Sequence, residues 1–163
     1  IWDDVASFAG KSDNVYDIVI RTPQPELTLG VPWGPYQTGY GQVRPHEIFN
    51  GGDPSGGVSD ITWTSWGGSI AVGTGTAEWV PDGAAVAAGY DEKAVVYAWD
   101  PGPCAGQLRY RMINWYFPGE PTDEKPDFSR TLADVAASEK YYYDYCDPNW
   151  RDYMDTFTPA KTG

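Results

Sequence analysis

The sequence is poor in the residues that usually build metal and redox sites. Its 163 residues include one histidine, two cysteines and two methionines. Because His46 is the only imidazole and no C-x-x-C pair is present, a zinc site is disfavoured unless carboxylates supply the remaining ligands. Basic residues are also scarce, since 11 Lys and Arg stand against 23 Asp and Glu, for a formal net charge of −12. The negative electrostatic field of such a chain repels phosphate, so we expect no binding to nucleic acids or anionic membrane surfaces.

Long apolar runs are missing too. No stretch approaches the roughly 18 residues that a membrane-spanning helix needs, so we expect no transmembrane segment. The first residues, 1–4, are acidic and lack the basic segment with which a signal peptide begins. Both a mature secreted chain and a cytosolic chain would begin without such a segment. We favour a secreted or cell-surface location because the cysteines number two and can pair with each other.

The two cysteines form an even count in a small chain rich in turn residues, with 19 Gly and 14 Pro. This pattern predicts a disulfide between Cys104 and Cys146, the alternative being two unpaired thiols. The bond would close a loop of about 40 residues and contribute roughly 3–4 kcal/mol in the loop-entropy model.

Aromatic residues, in contrast, are abundant: 8 Trp, 12 Tyr and 5 Phe. Disordered chains are poor in aromatics, so this composition predicts a folded protein despite its acidity. The length favours a single domain over 1–163. We divide it into an N-terminal segment with a Pro/Gly loop (1–45), a β core (46–118) and an acidic, tyrosine-rich tail (119–163).

The middle region is typical of β structure. β-Branched and aromatic residues, alternation and flanking turns predict strands at 61–66, 69–80, 94–99 and 107–117. Small residues on one face of 69–80 indicate the close approach of another layer, such as an indole. The expected fold is mainly β, an antiparallel sandwich or barrel, with these tryptophans in its core: Trp63, Trp66, Trp79, Trp99 and Trp115.

The tail has a different pattern. Apolar residues at helical spacing predict a helix over about 128–140, which Asp127 or Ser129 could cap. A run of tyrosines follows, and Cys146 would tie this segment back to the β core.

The β core also carries a recognisable motif. Trp63-x-x-Trp66-Gly67-Gly68, followed by Ala71-x-Gly73-x-Gly75, resembles small secreted proteins and lipoproteins of actinobacteria with a W-x-x-W-G core. The resemblance covers about residues 47–117. It implies a small secreted β domain and supplies no catalytic residue.

One stretch is superficially catalytic. Residues 52–57 resemble the G-D-S-G-G sequence around a serine-protease nucleophile, but Pro54 interrupts it and removes a backbone donor that an oxyanion hole would need. His46 is the only base that could serve Ser55. We therefore interpret 52–57 as a turn before the first core strand and His46 as a loop residue. A glycosidase pair drawn from the many acids is a less favoured alternative.

Acidic residues in the tail raise the question of calcium. Asp144, Asp147 and Asp152 place carboxylates within a short span, so Ca²⁺ is the one cofactor that the sequence suggests, the alternative being a solvated acidic tail. Their spacing does not match an EF-hand.

The remaining aromatics are the candidates for function. They lie where no regular element forces burial, and exposed planar rings bind sugar faces or protein partners. The alternative is that these rings cover the sheet edges of the same chain. We therefore expect a non-enzymatic extracellular or cell-surface domain that binds polysaccharide or cell wall. The alternatives are a protein-interaction role, such as protease inhibition or homo-oligomer assembly, and, less favoured, a small hydrolase. The candidate ligand-binding residues are Trp33, Tyr36, Tyr40, Tyr141, Tyr142 and Tyr143.

Overall fold

One mixed six-stranded sheet, curled into a half-barrel, forms the body of the molecule. The computed structural model describes residues 25–32, 34–138 and 144–147. Two 3₁₀ turns, Pro54–Gly56 and Val86–Ala88, and a short helix α1, Leu132–Ser138, accompany the sheet. The strands are β1 (Thr28–Leu29), β2 (Ile48–Phe49), β3 (Gly57–Ser65), β4 (Ile70–Trp79), β5 (Tyr90–Cys104) and β6 (Gln107–Tyr116).

The strands lie in the order β1-β6-β5-β4-β3-β2. All neighbours are antiparallel except β1, which runs parallel to β6 and places Thr28 opposite Arg109. The prediction of a mainly β, largely antiparallel fold is confirmed. The parallel edge strand was not expected, because a two-residue strand leaves no periodic signal in the sequence.

The small residues of β4 allow β3 to pack closely against it. A Cβ at Gly73 would lie 3.1 Å from the indole of Trp63, and a Cβ at Gly75 would lie 2.6 Å from the carbonyl oxygen of Ser59. An indole does approach these small residues, but the expectation of another layer is wrong, because Trp63 lies directly opposite Gly73 on the neighbouring strand of the same sheet. Two register irregularities in β3 accompany this contact and help to curl the sheet.

Strand β5 is longer than predicted. Asp100-Pro101-Gly102-Pro103 was expected to end it, yet the ladder with β6 continues to Cys104. That expectation is wrong because β4 starts at Ile70, opposite Trp99, so residues 101–103 have a strand neighbour on one side only. Proline is tolerated on such an edge, where its missing N–H interrupts no second ladder.

The hydrophobic core lies on one face of the sheet. Its centre includes Val96, Tyr110 and Leu29, all fully buried. Four of the tryptophans predicted for the core, Trp63, Trp66, Trp79 and Trp115, pack against it while staying partly accessible. The fifth, Trp99, is buried on the opposite side, where its ring meets Phe128 edge to face.

The C-terminal part of the described chain is fastened across the sheet. Helix α1 starts later than predicted because Thr131 and Asp134 form its capping box: the Thr131 N–H donates to Asp134, and the Asp134 N–H donates to Thr131 Oγ1. Asp127, expected as a cap, instead holds the preceding turn through Ser129. The predicted disulfide between Cys104 and Cys146 is confirmed, with Cα atoms 5.1 Å apart.

Candidate binding cleft at the edge of strand β6

A cleft of about 440 Å³ opens beside the second half of β6. Strand β1 pairs only with Arg109 and Tyr110, so from Met112 onward this edge of β6 has no strand neighbour in the described part of the chain. The volume lies within the ~300–1,000 Å³ typical of small-molecule sites. The cleft is lined by Asn50, Ser55, Gly56, Trp99, Met112, Ile113, Asn114, Trp115, Pro126, Asp127, Arg130, Val135 and Tyr145.

Three pieces of chain form its walls. Strand β6 supplies Met112 to Trp115. The loop at 50–56 supplies a second wall and is closed by an Asn50 N–H···O=C Gly56 bond of 2.9 Å. The third wall, 126–135, is anchored where the Trp99 indole N–H donates to the carbonyl of Arg130 at 2.7 Å. Backbone and indole hydrogen bonds therefore hold each wall in place.

Two carboxamides face the cleft with their oxygens already engaged. The Tyr40 hydroxyl donates to Oδ1 of Asn50, and the Trp115 N–H donates to Oδ1 of Asn114 at 2.8 Å. Neither NH₂ group has an acceptor among the described residues. Each carboxamide therefore has its NH₂ donors and one remaining lone pair of its oxygen available to the cleft.

Trp115 adds a ring and a third donor. The indole N–H groups of Trp63, Trp66 and Trp99 donate to backbone carbonyls, whereas that of Trp115 has no acceptor within the described ranges. Trp115 is also partly accessible, while Trp99 is 4 % exposed. Of these two indoles, Trp115 is the one whose surface a ligand could reach.

Opposite charges stand at the wall formed by 126–135. Asp127 accepts hydrogen bonds from the hydroxyl and N–H of Ser129, both at Oδ1, and these bonds hold the pKa of its carboxyl below the ordinary value. Asp127 is therefore ionised at neutral pH. Arg130 contributes a guanidinium to the same cleft.

The structure places the predicted ligand-binding residues differently from the prediction. Tyr36 is 74 % exposed, as expected, and its side chain lies beside the loop at Gly51. The exposure expected for Tyr40 is wrong, because its ring is 4 % exposed and stacks on Tyr145 with centroids 5.2 Å apart. The disulfide brings Tyr145 to that position, which no local pattern could indicate. Trp33, Tyr141, Tyr142 and Tyr143 lie outside the described residues.

The acidic tail was the candidate calcium site. Asp144 accepts the N–H of Cys146 at 2.9 Å and its carbonyl accepts the N–H of Asp147, so the two belong to one tight turn. Asp152 lies outside the described residues. Among the residues that are described, no three His, Cys, Asp or Glu side chains come together as metal ligands. Calcium binding stays a prediction.

The protease-like stretch is a turn, as interpreted from Pro54. Residues Pro54–Gly56 form a 3₁₀ turn capped by Asp53, whose carboxylate also accepts the Ser55 hydroxyl. His46 is exposed, and its carbonyl accepts the N–H of Ile61. Ser55 is thus committed to holding the loop that carries Asn50.

Sequence reasoning missed the residues that give the cleft its chemistry: Asn50, Asn114, Asp127 and Arg130. One signal was present, since Asn114 is the one polar residue in the apolar and aromatic stretch 112–117. Asn50, Asp127 and Arg130 meet at the cleft because the sheet edge brings their loops together. Only the tertiary structure shows which loops these are.

A second groove, of about 760 Å³, lies between the 25–27 segment and the turns at 67–69 and 106–108. Glycine, proline and leucine dominate its lining, and Leu108 is 60 % exposed. It offers fewer polar side chains to orient a ligand, so the β6 cleft is the stronger candidate.

Comparison with protein-family models, with curated proteins and with solved structures found no match for this chain. A search of the described helices found none long and apolar enough to cross a membrane.

Proposed function

We propose that this chain is a non-enzymatic extracellular domain that binds a saccharide in the β6 cleft. The observation that carries the proposal is the meeting of an accessible indole, Trp115, with the amides of Asn50 and Asn114 in one cleft. Sugars present both C–H faces and dense hydroxyl groups. An aromatic plane beside a few fixed polar groups suits that combination.

The single carboxylate among the described lining residues of the cleft supports binding rather than hydrolysis. Glycoside hydrolysis ordinarily needs two carboxyl groups, one of them protonated near neutral pH. Among the described lining residues Asp127 is the only carboxylic acid, and its pKa is lowered by the Ser129 hydroxyl. Asp127 is suited to accept a hydrogen bond and unsuited to donate a proton.

The extracellular location is supported by the Cys104–Cys146 bond, since disulfides persist mainly in oxidising compartments. The resemblance of the Trp63-x-x-Trp66-Gly67-Gly68 core to secreted actinobacterial proteins favours the same location. A polysaccharide or cell-wall surface is the ligand source that fits this setting.

Isothermal titration with soluble oligosaccharides tests the proposal. We expect saturable binding that weakens at least tenfold, about 1.4 kcal/mol, in Trp115→Ala. Because Trp115 also packs against the core, Asn114→Ala is the second variant: Asn114 is exposed, and its loss removes one hydrogen bond, from the Trp115 N–H, and no core contact. Tyr90→Ala is the matched control, since Tyr90 is an exposed aromatic outside the cleft lining.

Two results would contradict the proposal. One is the absence of any binding to oligosaccharides across hexose and hexosamine backbones. The other is binding that the Trp115 and Asn114 variants leave unchanged while Tyr90→Ala removes it. A shift to larger species in size-exclusion chromatography with light scattering, without sugar binding, would favour the protein-interaction alternative instead.

A further inference from the structure

We infer that Asn50 is a modification site: its carboxamide closes onto the backbone nitrogen of Gly51 and loses ammonia, which turns this asparagine of the cleft wall into a carboxylate. The chemistry goes beyond the proposed function, and only its expected effect on affinity rests on saccharide binding. Asn50-Gly51 is the one Asn-Gly pair of the sequence. Because glycine has no Cβ beside the attacking nitrogen, ring closure meets the least hindrance at this asparagine.

The reaction consumes water and no other reagent. The Gly51 nitrogen gives up its proton and attacks Cγ of Asn50. The new C–N bond forms as the bond from Cγ to the side-chain nitrogen breaks, and that nitrogen takes up the proton and leaves as ammonia. A water molecule then opens the cyclic imide. Opening at the side-chain carbonyl gives aspartate, whereas opening at the backbone carbonyl gives isoaspartate, in which the main chain runs through the former side chain.

The attacking nitrogen is not held by the fold. The chain is tied just before it, where the Asn50 N–H donates to the Gly56 carbonyl at 2.9 Å. The Gly51 N–H, in contrast, makes no hydrogen bond to any residue that the structure describes. Gly51 and Gly52 have φ of +81° and +91°, and a Cβ built on Gly52 would meet no atom within 4 Å. The loop after Asn50 is therefore open to water and free of side chains that would block ring closure.

The carbon under attack is polarised by a donor that is already in place. The Tyr40 hydroxyl donates to Oδ1 of Asn50, and negative charge develops on that oxygen as the nitrogen adds to Cγ. A donor fixed on the atom where charge develops lowers the barrier to addition. Stacking on Tyr145 keeps the Tyr40 ring in position, and the ring is only 4 % exposed.

Asn114 is an internal comparison, because it lines the same cleft in a different local setting. The next residue is Trp115, whose large side chain stands beside the nitrogen that would attack. The Trp115 N–H also donates to Oδ1 of Asn114 at 2.8 Å, so its hydrogen is directed at the carboxamide that a free nitrogen would have to attack. The cleft therefore holds one reactive asparagine and one protected asparagine.

Incubation of the folded protein at mildly alkaline pH, followed by mass spectrometry of its proteolytic peptides, tests the inference. We expect the peptide that contains Asn50 to gain the mass difference between NH₂ and OH, with isoaspartyl and aspartyl products side by side. The conversion should be at least as fast as in the same chain unfolded in urea, because the fold leaves the nitrogen free and polarises the carbonyl. Asn114 should not convert in the folded protein.

Two variants assign the reaction to its parts. Tyr40→Phe keeps the stacked ring and removes the hydroxyl donor, so conversion at Asn50 should slow about threefold or more. Asn50→Gln is the matched control: it keeps a carboxamide, but its longer side chain would have to close a larger ring, so its mass should not change.

Titration calorimetry before and after incubation measures the consequence for the cleft. The probe is the trisaccharide that the unmodified protein binds most tightly among cellotriose, chitotriose, mannotriose and xylotriose. Affinity should fall about threefold or more in the converted protein, since an NH₂ donor is lost and a second carboxylate joins Asp127. Asn50→Gln should keep its starting affinity through the same incubation.

The outcomes separate this inference from the proposed function. Conversion in urea without conversion in the folded protein would overturn the inference, because it would show that the fold protects Asn50. Equal conversion at Asn114, or a rate that Tyr40→Phe leaves unchanged, would overturn the roles given to Gly51 and to the Tyr40 hydroxyl. Conversion without loss of affinity would overturn its link to the cleft. Failure of every oligosaccharide to bind would overturn the proposed function and leave the modification intact.

Discussion

Arg109 is a buried cation whose described partners are all uncharged. Its side chain is 9 % exposed; Nε donates to the Cys104 carbonyl at 3.1 Å, and Nη1 donates to Thr28 Oγ1 and the Gly30 carbonyl at 2.8 and 2.9 Å. A buried charge is tolerated only when its donors are satisfied. These bonds tie β1 to the disulfide end of β5, and so help to position the parallel edge strand.

Replacing Arg109 by Met should lower the free energy of unfolding by about 2–4 kcal/mol, since three hydrogen bonds from a charged group are lost and the Cys104 and Gly30 carbonyls each lose a donor. Urea denaturation measures the change. Arg44→Met is the control: Arg44 pairs with Glu26 at 2.6 Å with both side chains about half exposed, so its loss should cost under about 1 kcal/mol. Similar losses in the two variants would contradict the role assigned to Arg109.

Among the elements, β4 shows how a residue choice shapes the sheet. Gly73 and Gly75 leave the room that Trp63 and the β3 backbone occupy. Larger side chains would push β3 away and flatten the curl that gathers the core on one face.

Gly75→Ala should therefore destabilise the protein by about 1–3 kcal/mol, because the added methyl would lie 2.6 Å from the Ser59 carbonyl and 2.8 Å from Val58. Thermal unfolding followed by circular dichroism tests this. Gly68→Ala has no atom within 4 Å of the new methyl and should cost nothing measurable. A wild-type midpoint in Gly75→Ala would show that β3 can move freely.

The carboxyl group of Glu92, at the start of β5, interacts with that of Glu120, in the turn after β6. Burial, and then the neighbouring Glu120, raise the pKa of Glu92 above its ordinary value of 4.5. Tyr90 donates to Glu120 at 2.7 Å, and this bond is the main reason that the pKa of Tyr90 is raised. A carboxyl with a raised pKa in the folded state binds its proton more tightly there, so its contribution to stability is present at low pH and is lost as pH rises through the raised value.

Glu92→Gln should therefore raise the melting temperature at pH 7 and change it little at pH 4, where wild-type Glu92 is largely protonated. Melting curves across that range measure the effect. Glu124→Gln removes the same charge from an exposed position, and it controls for the net charge of −12. An equal rise in both variants at pH 7 would show that bulk charge, not the pair, is responsible.

In the molecule as a whole, a disulfide and several hydrogen bonds hold the C-terminal segment to the sheet. Besides the disulfide, the Leu132 N–H donates to Asp100 at 3.0 Å, and Asp100 in turn pairs with Arg111 at 2.8 Å. The same segment supplies Asp127, Arg130 and Val135 to the cleft. Stability of this attachment and the shape of the cleft are therefore linked.

The double variant Cys104→Ala, Cys146→Ala should lose roughly 3–4 kcal/mol of unfolding free energy, because the bond closes a loop of 42 residues. Oligosaccharide affinity should fall as well, since Tyr145 lines the cleft next to Cys146. Reductant should reproduce both effects in the wild type and change nothing further in the variant. Unaltered stability of the variant would mean that packing alone holds the segment.

Prediction from sequence succeeded where the signal was local. Alternation in residues 69–80 and 107–117 identified β4 and β6, and Pro54 identified the turn at 54–56. It failed where a distant partner decides the outcome. Tyr40 is buried because Tyr145 stacks on it, and Pro101 continues a strand because β4 has ended beside it.

The sequence by itself determined the mainly β class, the disulfide and the aromatic composition of the core, because alternation, turn residues and cysteine number are properties of neighbouring positions. Only the tertiary structure decided where a ligand could bind. The short β1 leaves the rest of the β6 edge open, and hydrogen bonds from Tyr40 and from the Trp115 backbone fix the carboxamides of Asn50 and Asn114. The walls of the cleft come from residues 50–56, 112–115 and 126–135, which are far apart in the chain, so no local pattern could locate it. The scarcity of histidine and cysteine excluded metal and redox sites without indicating where a ligand binds.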